Sequence, residues 1–322
     1  MSKKSQHFPL SLKVKKVLVN GKEFFGNDPM LAVKNLPADV IDKIEVYDKQ
    51  SDQAQFSGFN DGDEERTINI ATKSGKNMGR FGKAYVGYGS DDRYEAGGNL
   101  NYFKGNQRIS IIGLFNNTNQ QNFSFDDIVG AMGSGGRGAG MGGNFMTGNL
   151  GGITRTNSIG INYSNTFAKK VELTGSYFFN NTNNKNTSEV ISEYFPEGNS
   201  TRVYNEYSKS TTDNYNHRFN LRLTYQIDSL NSILFTPRVS WQRNENQSLT
   251  TSDEFTDAIQ QLTTTNDIGS NNDGYSINGD IMFRHKFMKH RRTISLRAGT
   301  SSTFSDGKTT TYSLSESINN QN

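Results

Sequence analysis

The residues of this chain whose types and spacing could do chemistry are charged, and they fall into two sets. One is an acidic run, Asp61, Asp63, Glu64 and Glu65. The other recurs at alternate positions of later segments: Arg218, Arg222, Arg238, Arg284, Lys286 and Arg297, opposed there by few acids, chiefly Glu95, Glu172 and Asp280. Charges turned into an enclosed interior are walled off from bulk water and find partners. The expected chemistry is therefore charge-assisted contact between the run and the basic positions, with Arg218, Arg222, Arg284 and Lys286 as the first candidates. The competing reading is a basic face that meets only water or attracts an anionic solute.

Other motifs carry less. Gly138, Gly140 and Gly143 make a G-x-G-x-x-G inside the glycine-rich stretch Gly133–Gly152. A dinucleotide loop needs a strand before it and a helix after it, so that backbone N–H groups meet a pyrophosphate. Neither is expected here, and the stretch reads as a flexible loop. Asn60–Glu65 (NDGDEE) is rich in oxygen but lacks the ligand spacing of an EF-hand. His7, His217, His285 and His290 show no metal-ligand spacing, and His290 with Arg291 and Arg292 reads as a basic turn. No serine, cysteine or carboxylate pair stands in a catalytic context. No catalytic residue, metal site or cofactor is expected, and the chain reads as a non-enzyme.

The elements that position the charges are strands. Asn216–Asp228 (NHRFNLRLTYQID) puts Phe219, Leu221, Leu223, Tyr225 and Ile227 on one face and Arg218, Asn220, Arg222, Thr224 and Gln226 on the other. That is the period of a two-faced strand. The pattern recurs from Arg80 onward, through Ala84–Tyr88, Ala96–Tyr102, Ile109–Phe115, Ile159–Tyr163, Val171–Phe179, Ile233–Trp241, Ile277–Phe287 and Ile294–Ala298. The longest runs, Val171–Phe179, Ile233–Trp241 and Ile277–Phe287, reach the roughly 9–11 residues that cross a bilayer at barrel tilt, and the shorter ones approach it with their polar flanks. Short turns (Lys104–Gln107, Ala168–Lys170, Asp228–Asn231, Met288–Arg291) alternate with long segments at 119–156, 183–213 and 245–273, and Ser90–Arg93 is a short exception. Loop lengths segregated in this way are the signature of an outer-membrane barrel.

Composition agrees. The 322 residues have 32% hydrophobic content and a mean hydropathy of −0.73, yet include 21 Phe, 14 Tyr and 32 Gly. No run of about 18 apolar residues exists, so a transmembrane helix is excluded, whereas barrel strands hide their lipid face in alternation. Tyr88, Tyr102, Tyr163, Phe167 and Trp241 are candidates for interfacial girdles, with plain packing as the alternative. A net charge of +3 argues for no nucleic-acid partner, and the absence of cysteine is permissive of an oxidising compartment. Asn116–Thr118 is a sequon without weight in a bacterial setting.

Residues 1–75 read differently. Lys16–Asn20 reads as a strand closed by an Asn-Gly turn, with Glu23–Phe25 returning. Asp28-Pro29 is a helix start, and Pro37 opens a second short helix through Lys43, with Val40, Ile41 and Ile44 facing inward. Ile44–Tyr47 and Thr67–Thr72 follow as strands. The segment from Leu18 to Asn77, with NLPADVIDKIEVYD and INIATKSGKN at its centre, resembles the C-terminal part of the plug domain of TonB-dependent outer-membrane receptors. The resemblance covers residues 14–125, and barrel character carries it further.

The fold class expected is therefore membrane β: a small α+β plug remnant, 1–75, then antiparallel transmembrane strands over 76–322, about nine of a larger, incomplete barrel. No signal peptide, coupling motif or C-terminal aromatic strand is visible, and barrels of this kind have about 22 strands, so the chain reads as the front part of a longer receptor. The resemblance implies energised uptake of a solute across the outer membrane of a Gram-negative cell. The partners it implies are outer-membrane lipid, the TonB energy-coupling system and a surface lipoprotein, with no nucleic acid. The alternative is an outer-membrane barrel that anchors large surface loops for binding or adhesion.

Overall fold

The computed structural model describes residues 14, 16–25, 36, 38–73, 78–120, 151–195, 201–289 and 292–318. Four strands near the N-terminus make a small sheet in the order β2-β1-β4-β3: β1 Lys16–Val19, β2 Lys22–Glu23, β3 Ile41–Gln50 and β4 Glu64–Thr72. The β1–β2 hairpin turns at Asn20 (φ 46°) and Gly21 (φ 79°), the positive-φ pair that an Asn-Gly turn supplies. β1 runs parallel to β4, and β3 closes the other side of β4 antiparallel.

Two helix expectations change. The segment opened by Pro37 holds only a three-residue 3-10 turn, Ala38–Val40, after which Ile41 already belongs to β3. Isoleucine and valine at alternate positions, Ile44 and Val46, favour a strand over a second helical turn. Val40 is buried as expected, but Ile44 is 60% exposed on the edge strand. A helix that the sequence reading did not foresee, α1 (Asp52–Ser57), lies between β3 and β4. Ser51 caps it, its hydroxyl accepting the Ala54 N–H at 3.0 Å, and Gly58 ends it at φ 77°. The helix start at Asp28-Pro29 lies outside the described residues.

From Met78 the chain builds an open antiparallel barrel wall: β5 Met78–Tyr88, β6 Tyr94–Lys104, β7 Gln107–Asn116, β8 Ile153–Phe167, β9 Val171–Tyr194, β10 Arg202–Gln226, β11 Asn231–Phe235, β12 Arg238–Thr256, β13 Ile259–Lys286 and β14 Thr293–Ser317. β11 and β12 are one wall strand interrupted at Thr236-Pro237. Both halves lie between β10 and β13, and Leu221 N–H still reaches Pro237 O at 3.0 Å. Proline cannot donate to the ladder, so the break falls there. Nine wall strands result among the described residues, the number that the alternation predicts.

The expected long loops at 183–213 and 245–273 are corrected. β9 and β10 stay paired from Val171↔Tyr225 up to Tyr194↔Arg202, and β12 and β13 up to a two-residue turn at Asp257 (φ 50°) and Ala258 (φ 65°). Apolar side chains in these arms, such as Val190, Ile191, Leu249 and Ile259, are scattered over both faces among polar ones, so hydrophobic alternation does not announce them. Threonine, tyrosine and valine at many positions still favour extended pairing.

The wall is apolar outward and polar inward. Phe219, Val239, Trp241, Ile277, Ile281 and Phe283 are exposed on its convex face, while Ser110, Asn162, Asn180, Asn216 and Gln242 are buried on its concave face. The small N-terminal unit sits on that concave face. Its core of Val17, Val19, Phe24, Phe25, Leu36 and Ile70 is completed by Ile112 and Phe178 of the wall. Gly160 lies between those two in register. A Cβ there would stand 2.7 Å from Ile112 Cγ1 and 2.9 Å from Phe25 Cε1, so only glycine admits the Phe25 ring.

Candidate functional site

The two charged sets meet where α1 and the acidic turn face β10 to β14. Capping fixes α1, and its first residue, Asp52, points at the wall. Arg222 donates from Nη1 to Asp52 Oδ2 at 2.8 Å and from Nη2 to Oδ1 at 2.6 Å. This planar, two-bond geometry is the strong form of the arginine–carboxylate pair. The side chains are 24% and 29% exposed. Burial opposes ionisation of Asp52, but the Arg222 bonds and charge, helped by Lys49 and Lys16, hold its carboxyl below the ordinary carboxylate range.

Above the pair lies a cavity of about 280 Å³ between the small unit and the wall. Asp61, Asp63 and Glu65 line one side, and Arg238, Asp280 and Arg297 line the other. Burial, with Lys16 and Arg222 close by, keeps the Lys49 ammonium at its edge below the usual lysine range. The cations Lys16, Lys49, Arg222, Arg238 and Arg297 match five acids, Asp52, Asp61, Asp63, Glu65 and Asp280, so the lining is neutral in sum. Below the pair a second cavity, about 320 Å³, opens beside the turn 227–230, and it shares Asp52 and Arg222 with the first. The ion pair therefore stands as a partition between two cavities.

The structure brings the acidic run near the wall without joining it. Among the described residues none of the four acids lies within ion-pair distance of a wall cation. Asp61 accepts from the Ser51 hydroxyl, Glu64 accepts from Asn60 Nδ2 at 3.0 Å, and Glu65 lies 4.0 Å from Lys16 of its own unit. Of the basic candidates, Arg222 takes Asp52. Arg284 and Lys286 set their charges over the Phe56 ring of α1, at 5.3 and 5.4 Å from its centroid. Arg218 Nε donates to Asn216 Oδ1 at 3.3 Å and the guanidinium lies over Phe178. Arg297 Nε donates to Asp280 at 2.9 Å. Glu172 lies 3.7 Å from Lys22 of the small unit, and Glu95 accepts from the Thr118 hydroxyl at 3.5 Å. A contact that needs no charge pattern also spans the interface: Arg108 Nη1 donates to Val19 O at 2.7 Å.

The outward face has its own order. Phe179, His217, Trp241, Tyr275 and Phe304 stand side by side across five strands. His217 lies 4.8 Å from the Phe179 ring and 5.1 Å from Trp241, and its Nδ1 is 2.8 Å from the Tyr177 hydroxyl. Beyond this row the outward positions turn polar, as Tyr215, Arg243, Asp273 and Asp306. Toward the short turns they stay apolar down to Phe167, Tyr225, Ile233, Phe283 and Leu296. From His217 to Ile227 the band spans ten residue steps. At roughly 3.3 Å per residue and about 40° of tilt, that is about 25 Å of height. Trp241 and Phe167 thus lie at opposite rims. Tyr88 lies by the turn at Ser90–Arg93, its hydroxyl donating to Asp92 at 2.7 Å. Tyr102 and Tyr163 flank Ile109 within the band.

Among the described residues no group of three His, Asp or Glu side chains could hold a metal ion. His285 Nδ1 is 2.8 Å from Asn231 Oδ1. Residues 133–150 of the glycine-rich stretch, His7, His290 and Arg291 lie outside the described residues.

No family model matches the chain, and no curated protein matches it. Among solved structures it is similar to the siderophore receptor PiuA from Acinetobacter baumannii, at 11% identity and a TM-score of 0.22 over 92% of this chain and 54% of that one. It is similar to the ferric preacinetobactin receptor BauA from the same organism, at 10% identity and a TM-score of 0.29 over 92% and 53%. It is also similar to the ferric yersiniabactin uptake receptor FyuA from Yersinia pestis, at 10% identity and a TM-score of 0.23 over 92% and 52%. The chain spans about half the length of each.

Proposed function

We propose that this chain forms the C-terminal part of the plug and the first wall strands of a TonB-dependent outer-membrane transporter, with residues 1–75 in the plug and 76–322 in the incomplete wall. In this reading it takes up a scarce solute with energy delivered through TonB and carries out no bond chemistry. The observation that carries the reading is the inverted radial order of the wall. An apolar convex band about 25 Å tall matches the lipid-facing band of an outer-membrane barrel, and the polar concave face holds a small unit that an ion pair fastens. A soluble sheet would bury the apolar face and wet the polar one. The Asp52–Arg222 pair then has a role: it closes the way between two cavities and can be broken when the plug is pulled.

The long arms β9–β10 and β12–β13 favour a second reading, a barrel that anchors surface ribbons for binding. Two measurements separate the cases. Cysteine at Asp267 or Asp257 labels with an impermeant maleimide on intact cells and cysteine at Asn231 does not, in either reading; the reverse pattern overturns the topology. Solute accumulation that collapses when the proton-motive force is abolished supports transport. Surface binding that survives that treatment, with no accumulation, rejects transport in favour of anchoring.

A further inference from the structure

We propose that the cavity under α1, at the short-turn end of the wall, is a binding site for a small multivalent oxyanion of the phosphate class. Its lining brings together Arg222, Arg284 and Lys286 with a single acid, Asp52. Both oxygens of that acid already take Arg222 nitrogens. Arg284 spends its Nε on the Ser232 hydroxyl at 3.2 Å. Among the described residues, Arg284 and Lys286 make no ion pair; both charges stand over the face of Phe56, with Asp52 and Arg222 close enough to act on Arg284 through space. Two like charges over one ring, in a recess, make a place where a negative ligand is favoured. Neutral donors stand around it: the hydroxyls of Thr224, Ser229 and Ser232 and the amide of Gln226 line the same cavity. Arginine with a lysine and hydroxyl donors is the equipment that phosphate oxygens need.

The contrast with the neighbouring cavity sharpens the assignment. Across the Asp52–Arg222 partition five cations face five acids, whereas here three cations face one. The two recesses share a wall but differ in net charge, one neutral and the other positive. The site stands on its own geometry, whether or not the barrel transports.

The test is calorimetric titration of the protein, held in neutral detergent micelles, with inorganic pyrophosphate. Saturable binding near one per chain is expected at low ionic strength, weakening steeply as salt rises. Arg284→Gln with Lys286→Gln should weaken it at least tenfold, while Arg238→Gln, in the neutral cavity, should leave it within twofold. Lys286→Arg should retain it. If the double variant fails to fold, Ser232→Ala, which frees Arg284 from its tether, should still shift affinity several-fold. Pyrophosphate tested against nanodiscs with and without phosphatidylglycerol distinguishes the sources: competition by the lipid assigns the site to a headgroup, and its absence assigns it to a soluble anion. Failure to bind at low salt, or binding indifferent to the double variant, overturns the proposal.

Discussion

Replacing Asp52 with asparagine keeps the shape of the side chain and removes its charge, so it isolates the ion pair that partitions the two cavities. Two unit charges about 4 Å apart at an effective dielectric near 20 attract by about 4 kcal/mol. Each side chain is about a quarter exposed, so screening and side-chain ordering reduce that figure, and a lone Arg222 regains some hydration. A net loss of about 1–3 kcal/mol is expected, which raises the open fraction about 5- to 150-fold. Arg222→Gln should cost a similar amount, and the double variant little more than either, because the second change removes a partner already lost. The readout, taken in the full-length receptor that the proposed function implies, is permeability of cells to a bulky antibiotic at matched protein levels, supported by conductance across a planar bilayer. The Asp52 carboxyl is held below its ordinary range when docked, so the pair contributes fully above the ordinary carboxylate range, about pH 4 and higher. Its contribution fades as pH falls through the lower docked value, and conductance should rise only there. Wild-type permeability in Asp52→Asn, or a conductance change centred near neutrality, would refute the reasoning.

Gly160→Val should wedge Phe25 from Ile112 and loosen the small unit by about 1–3 kcal/mol of overpacking, seen as faster proteolysis between β4 and β5. In the full-length receptor, neutralising Asp61, Asp63, Glu64 and Glu65 together should raise antibiotic leakage, but less than Asp52→Asn, because among the described residues none of the four pairs with a wall cation; equal or greater leakage would give the run the larger share in holding the unit. The single tryptophan, Trp241, should be quenched more by lipids brominated near the headgroup than by lipids brominated at the chain ends. Equal quenching at both depths would move the rim of the apolar band.

The wall was legible because its strands are chemically two-faced, and a period of two marks any strand that keeps one face apolar and the other polar. Thus Phe219 to Ile227 betrayed β10, and the same pattern found each neighbour. Legibility stopped where the two faces no longer differed: Ser248–Thr251 and Leu262–Asn266 extend strands with the same backbone bonds but no contrast between sides. The helix α1 was missed because six residues, DQAQFS, offer no apolar stripe. Its signals were the cap at Ser51 and the glycine at position 58, which bracket it. That omission hid Asp52. Four acids within five residues draw attention, while the acid that holds Arg222 stands nine residues earlier and alone.

The arms that rise from the wall set a rule for how this chain can vary in length. Because β12 and β13 are paired residue by residue, one added residue in either arm would turn every side chain beyond it to the opposite face. Additions must therefore arrive as two residues on each side of the hairpin, or be absorbed by a bulge. The existing shift between Glu254 and Phe255 is such a bulge, placed close to the tip at Asp257 and Ala258. Beyond it only a few residues change sides, so the tip can be lengthened or trimmed while the register of the ribbon, and of the wall below it, stays as it is.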